Sequence, residues 1–407
     1  MTHKTQTLKI QRAVNATPAA AYRAFTSALA LREWLCNDAQ VEARKGGRLY
    51  AWWDSGYYAA GQFFAANPDK KLAFTWRGRG EPESTQVQIT FTPRTGGGAT
   101  VAVIHSGIWS GRQWAEAVAE FKKGWEVALA NLQSVLETGQ DLRFVRRPML
   151  GISLGDFNSA TAARLGVPVN EGALVESALP GMGAHAAGLQ KNDVIVSLGR
   201  SKVRSWNSLG PILQNYQGGD RVVVTFYRGP EKLTATMELS RRPLPEIPPT
   251  AAELAEAVRQ TYAKVDAALA ECFAGATDAE ASAKPAPAEW SAKETLAHLL
   301  TGEHDQQHWI AALVMRQDVP EFLDNLDARY SAVASVYTLP AMLAALKQAE
   351  AETAALVAAL PPEFVERKAS YWRLAYNTLQ PLYHLDGHID QMRAALEAAR
   401  EKVGAVK

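Results

Sequence analysis

The chain is short of almost everything that would assign it to a class at once. Its 407 residues include two cysteines, Cys36 and Cys272, too few and too distant for a disulfide framework. It has almost no net charge: 43 Lys and Arg face 42 Asp and Glu, leaving +1. No global field therefore favours nucleic acid or an anionic membrane surface. No window approaches the roughly 20 apolar residues of a membrane span. The opening MTHKTQTLKIQRAV has no apolar stretch of the signal-peptide kind. P-loop, dinucleotide fingerprint and CxxC are all missing, and no internal repeat is visible. These absences lead us to expect a cytoplasmic protein with no nucleic-acid partner and no membrane span. With 47% hydrophobic and 21% charged residues it is foldable, and its length suits two to four domains.

What is present falls into three textures, predicting a multidomain α+β chain. Residues 1–140 hold seven of the eleven tryptophans. LKIQRAVNA alternates like a strand, and TPAAAYRAFTSALALREWL opens a helix with Thr17 as N-cap and Pro18 at the first helical position. GGRLYAWW, GQFFAA, KLAFTWRG, TQVQITFTP and ATVAVIHSG follow as short strands between turn residues. A long helix closes the segment, with Trp114, Val118, Phe121, Trp125, Leu129, Leu132 and Leu136 at steps of three and four. In AYRAFTSALALREWL, VEARKGGRLYAW, GQFFAANPDKKLAFTW and Gly124-Trp125, this segment resembles the START-like (SRPBCC) superfamily, most closely the Aha-type activators of the heat-shock chaperone ATPase. The resemblance implies a curved antiparallel sheet gripping the long helix around a cavity. Its candidate lining is Trp34, Trp52, Trp53, Trp76 and Trp125, and its expected partner is an apolar small molecule or a chaperone. The alternative is that these tryptophans serve packing alone.

Residues 146–243 read as small and β-rich. MLGISLGDF is a short strand, ATAARLG a helical turn, and DRVVVTFYRG with KLTATMELS a hairpin. Leu150-Gly151-Ile152, GALVESALPGMGAHAAGL, NDVIVSLG and RVVVTFYR together resemble a PDZ domain of the bacterial protease-associated type. That resemblance implies capture of an extended peptide or a protein C-terminus by strand addition. Leu150, Gly151 and Ile152 would form the loop and edge, and Leu209 and Ile212 the opposing helix in SWNSLGPILQNY. Gly210-Pro211 interrupts that helix, because Pro removes a donor and restrains its predecessor.

RRPLPEIPPT, residues 241–250, is a proline-rich linker. Residues 250–405 beyond it are helical: AELAEAVRQTYAKVDAALAECF, ETLAHLLTGEHDQQHWIAALV, LPAMLAALKQAEAETAALVAAL and PLYHLDGHIDQMRAALEAAREKV predict a four-helix bundle. Thr250 with Glu253 and Ser291 with Glu294 form capping boxes. Five of the eight histidines lie here. WSAKETLAHLL and HLDGHIDQ resemble the DinB superfamily, in which one helix gives a single histidine and another an HxxxH pair. Carried over, His298, His384 and His388 would hold a divalent transition metal with an open position. Zinc or nickel fits, since imidazole suits both and cysteine ligands are missing. Asp305 and Gly302 share the helical face of His298 and Gln391 that of His384, so Asp305 and Gln391 are candidates to orient the ligands. His304 and His308, on another face of their helix, are expected at the surface.

Two functions fit. One is a binding or adaptor protein with a ligand or chaperone-contact domain, a peptide groove and a metal-bearing bundle. The other is a metal-dependent thiol transferase or isomerase of the DinB type, regulated by the other two domains.

Overall fold

The computed structural model describes residues 5–81, 83–111, 115–155, 157–287, 289–317 and 326–404. Trp114, and the side chains of 381–386 and 402–404, lie outside the described residues. The chain divides into two compact units, Met1–Leu244 and Pro245–Lys407.

The first unit opens with β1 (Thr5–Val14), α1 (Pro18–Thr26), α2 (Ala28–Trp34), β2 (Asp38–Val41), β3 (Arg48–Trp52), β4 (Tyr58–Asn67), β5 (Lys71–Gly78), β6 (Thr85–Pro93), β7 (Ala99–Trp109), α3 (Ala115–Thr138) and α4 (Leu142–Val145). The strands form one antiparallel sheet in the order β1-β7-β6-β5-β4-β3-β2. Alternation makes it one-sided: β6 buries Val87, Ile89 and Phe91 and leaves Gln86 exposed. The stripe of α3 buries Trp125, Leu129, Leu132 and Val135.

Where one helix was expected after Thr17, there are two. Ser27 sits in an extended conformation and its hydroxyl accepts the Ala30 N–H at 3.4 Å, starting α2 afresh. Strand β2 was not anticipated, because four residues with one fully buried side chain carry too little alternation to read. The end of α3 is fastened by side chains. Asn131, 2% exposed, donates to the Trp34 carbonyl at 2.7 Å and to Asp141 at 2.8 Å, and accepts the Leu142 N–H at 2.6 Å. The Arg143 guanidinium reaches the Arg32 and Cys36 carbonyls at 2.6 and 2.9 Å and pairs with Asp141 at 2.7 Å.

The unit continues with β8 (Ile152–Gly155), α5 (Ser159–Leu165), β9 (Ala173–Ala178), α6 (Gly183–Ala186), β10 (Val194–Leu198), β11 (Ser201–Lys202), α7 (Leu209–Leu213), β12 (Arg221–Arg228) and β13 (Glu231–Glu238). The sheet order is β13-β12-β10-β9-β8, with β11 paired to β10. Asp193, fully buried, is matched by the two-pronged Arg228 guanidinium at 2.8 Å on each oxygen. Helix α7 continues through Gly210-Pro211 but lasts only five residues. Pro211, at its third position, lies where intrahelical N–H partners are missing anyway.

The second unit is all helical: α8 (Ala251–Cys272), α9 (Asp278–Ser282), α10 (Ala292–Val314), α11 (Asp327–Val336), α12 (Leu339–Ala358), α13 (Pro362–Val365), α14 (Lys368–Thr378) and α15 (Pro381–Gly404). The four long helices α8, α10, α12 and α15 are those expected, around a core that includes Leu269, Leu296, Leu300, Met342, Leu346 and Met392. Ser291 and Glu294 form the expected reciprocal cap of α10. An unexpected one, Thr277 with Glu280, opens α9. No helix among the described residues is long and apolar enough to cross a membrane.

Candidate functional site

Three places gather the candidate residues. In the β-rich segment, β8 ends the sheet and, among the described residues, pairs only with β9, Ile152 opposite Ala178. Leu150, Leu209 and Ile212 are buried in one cluster with Ile152 packed against it, so loop, edge and opposing helix meet. Gly151 has φ +77, and a Cβ there would come within 2.2 Å of the Met182 Cβ. Both facts require glycine. Its carbonyl accepts the Leu179 N–H at 2.8 Å, and the Leu150 carbonyl accepts that of Ala184 at 2.9 Å. Met182, the back wall of this turn, was not singled out in the sequence because nothing local marks it.

Between sheet and α3 of the first segment, Trp53, Trp76 and Trp125 form a chain of rings, 6.3 and 5.9 Å between centroids. Trp34 lies elsewhere, against Phe25, its N–H donating to the Ala24 carbonyl at 2.9 Å. Trp52 is half-buried on β3. The cluster contains a group that sequence reading passed over, His105 on β7, which is fully buried. Trp125 Nε1 donates to its Nδ1 at 3.2 Å, so Nε2 carries the proton and donates to the Thr85 hydroxyl at 2.7 Å. Thr85 in turn donates to the Trp76 carbonyl at 3.0 Å. Burial lowers the His105 pKa to about 4, and the neutral tautomer satisfies every link of the chain. At the cluster's edge Tyr57 receives the Trp76 N–H at 3.4 Å and donates to Glu81 at 3.0 Å. Burial raises the pKa of both Tyr57 and Glu81.

In the helical unit, His298 on α10 and His388 on α15 meet ring to ring, 4.9 Å between centroids. Trp290 and Tyr330 pack on His298 at 5.4 and 5.1 Å, completing an aromatic wall. Tyr330 comes from α11, a helix whose weak periodicity hid it. The His384 side chain lies outside the described residues. Gln391, expected beside His384, has its Oε1 3.1 Å from Nδ1 of His388. Burial lowers the His388 pKa, with the Gln391 contact opposing, which favours the neutral imidazole a metal requires. Asp305 is engaged by Arg329 through two bonds of 2.7 and 2.9 Å. A Cβ on Gly302 would meet nothing within 4 Å, so the space one turn from His298 is open. His304 and His308 are exposed. Among the described residues no three His, Cys, Asp or Glu side chains converge as a metal site.

The same bundle buries carboxyl groups. Glu303 on α10 accepts from Tyr262 at 2.9 Å and from Thr353 at 2.9 Å. Glu350 on α12 is 4% exposed, and its Oε2 has no hydrogen-bond partner among the described residues. Burial first, then the Asp266 and Glu303 charges, raise the Glu350 pKa to about 9.

Comparison with known proteins identifies two of the segments that carry these residues. A family model described as "Activator of Hsp90 ATPase homolog 1-like protein" matches residues 15–137, and one described as "PDZ domain" matches residues 148–239. The chain carries an Aha1-like domain and a PDZ domain. Among solved structures, the Aha1 dimer from Colwellia psychrerythraea is 20% identical over 32% of this chain and 96% of its own, with a TM-score of 0.29. An HSP90 activator from Plasmodium falciparum is 22% identical over 32% of this chain and 95% of its own, with a TM-score of 0.28. Among curated relatives, a probable periplasmic serine protease do/HhoA-like of Haemophilus influenzae is 31% identical over 108 residues, 26% of this chain and 22% of its own length. The serine protease Do-like HtrA of Lactococcus lactis subsp. cremoris is 33% identical over 118 residues, 28% of each chain. The chain thus spans about a quarter of the length of these relatives.

Proposed function

We propose that this chain is a multidomain adaptor whose PDZ domain captures an extended peptide or protein C-terminus. The observation that carries this reading is the outer edge of β8. It is the terminal strand of its sheet, preceded by a left-handed Gly151 backed by Met182. An added strand gains main-chain hydrogen bonds there, and side chains beside Leu209 and Ile212 set its preference. The Aha1-like domain contributes a second contact, to a chaperone or to an apolar molecule at the Trp53–Trp76–Trp125 cluster. Two buried free thiols, Cys36 and Cys272, suit the cytoplasm as the compartment. A peptide-array screen of the full chain should select a consensus sequence. Gly151→Val should abolish that binding while the helical unit keeps its melting transition. Binding that survives Gly151→Val would overturn the reading.

We further propose that the helical unit is DinB-like and binds zinc or nickel through His298, His384 and His388. Support comes from the meeting of His298 and His388 from two helices, the neutral state of His388, and the open space at Gly302. Such an ion would act as a Lewis acid toward a thiol or water. The chain's own part is to orient the imidazoles, with Gln391 on His388 and the Trp290–Tyr330 wall excluding water from His298. Elemental analysis of untagged protein should find one equivalent of metal. His298→Ala should lose it and His304→Ala should keep it, and the reverse pattern would refute the ligand assignment.

A further inference from the structure

On the PDZ sheet, strand alternation separates two faces. Val224 and Phe226 point into the core that holds Leu150, Leu209 and Ile212. Thr225 and Tyr227, between and beyond them, face the other way. On that second face is a cavity of about 570 Å³, whose lining includes Ser197, Lys202, Thr225, Tyr227, Lys232 and Thr234. This is the size of a small-molecule site, and it does not involve the β8 edge.

The lining has a definite chemical order. The register places Lys202 opposite Ser197, Ser197 opposite Thr225, and Thr225 opposite Thr234. Four adjacent strands thus present one row of hydrogen-bonding side chains, about 4.8 Å apart from strand to strand. Among the described residues, the hydroxyls of Ser197, Thr225 and Thr234 have no protein hydrogen-bond partner. Beside the row stands an apolar wall of Val169, Val196 and Tyr227, which pack on a small buried cluster around Val194. The charges are unequal. Glu171 is already matched, 2.6 Å from Lys202 and 3.8 Å from Arg204. Lys232, paired across strands with Tyr227, has no ion-pair partner among the described residues. A free cation, a line of hydroxyl donors and an aromatic wall complement one ligand class.

We propose that this face of the PDZ domain binds a small organic anion, a carboxylate or phosphate monoester carried on an apolar ring. Its anionic group would take Lys232 and the hydroxyl row, and its ring would lie on Tyr227 and Val196. The site is independent of peptide capture. Titration of the full chain with phenyl phosphate, benzoate and inorganic phosphate, followed by amide resonances, tests it. The expected result is a saturable shift of Val196, Ser197, Thr225 and Tyr227 with at least one ring-bearing probe. Lys232→Glu should weaken that binding by about tenfold or more, the loss expected of one charge-assisted contact. Thr225→Val, a near-isosteric change on a half-buried strand position, should weaken it less. The proposal is overturned if no ring-bearing probe saturates, if Lys232→Glu leaves affinity unchanged, or if inorganic phosphate binds as tightly as phenyl phosphate.

Discussion

The Aha1-like domain and the helical unit each bury an ionisable group, and they do so in opposite ways. His105 is enclosed with a partner for each ring nitrogen, Trp125 on one side and Thr85 on the other. Its neutral form is the one the site is built for. Glu350 is enclosed with one oxygen unpartnered among the described residues and with Asp266 and Glu303 nearby. Its protonated form can share a hydrogen bond with Asp266, whereas ionisation adds repulsion to desolvation. A buried polar group is inexpensive only when its neighbours complete its hydrogen bonds. The comparison teaches that burial alone predicts little, whereas burial with a partner count predicts the direction of pH sensitivity.

The largest expected effect is at Glu350. Its folded-state pKa lies above its unfolded value, so its stabilising contribution is complete at acid pH and is lost as pH rises from about 4.5 towards about 9. Glu350→Gln should stabilise the helical unit at pH 7.5 by about 2–4 kcal/mol and flatten that alkaline loss. Urea denaturation followed by far-ultraviolet circular dichroism across this range would measure both. A steeper alkaline loss in the variant would break the comparison.

His105 should respond at the other end. Its folded-state pKa is depressed, so its contribution is complete above about pH 6.5 and is lost as pH falls towards about 4. The loss should total about 3 kcal/mol, visible as acid-induced change in tryptophan fluorescence because Trp76 and Trp125 adjoin the ring. His105→Phe should remove that slope, at a cost of about 1–3 kcal/mol at neutral pH for the orphaned Trp125 and Thr85 groups. An unchanged acid slope in this variant would assign the titration to another group.

The smallest effect sharpens the contrast within the bundle. Glu303 is buried like Glu350 but has Tyr262 and Thr353 as donors. Removing one donor by Tyr262→Phe should destabilise the helical unit by about 1 kcal/mol at neutral pH, with the loss growing as pH rises. No change in thermal melting would mean that Thr353 alone satisfies Glu303.

Strands and long helices were legible where one face is buried in a regular pattern, because alternation and three-to-four spacing are direct imprints of one-sided packing. KLAFTWRG, TQVQITFTP and the stripe from Trp125 to Leu132 are cases in point. In contrast, β9 and β10, buried in unbroken runs, were not read as strands. Elements held by other means were hidden. Helix α11 has little amphipathic pattern, and Ser27 splits a helix through one hydroxyl bond. At the sites, Gly151 was singled out through the PDZ resemblance, and it occupies a left-handed position that demands that residue type. Met182 behind it and Tyr330 beside His298 were not, because they arrive from distant positions. His105 was invisible for a related reason: a lone histidine in an alternating strand gives no sign that Trp125 and Thr85 will close on it.

The fastening at the end of α3 has a mechanical meaning. Asn131, Asp141 and Arg143 bind the departing chain to the Trp34, Arg32 and Cys36 carbonyls before it runs on towards the PDZ domain. Tension applied through the PDZ segment would reach this knot before it reached the sheet. Several hydrogen bonds would then have to yield together, rather than a helix unravelling one turn at a time. The Aha1-like fold is thereby anchored against pulling on its neighbour, as a strain-relief clamp protects the cable entering a plug.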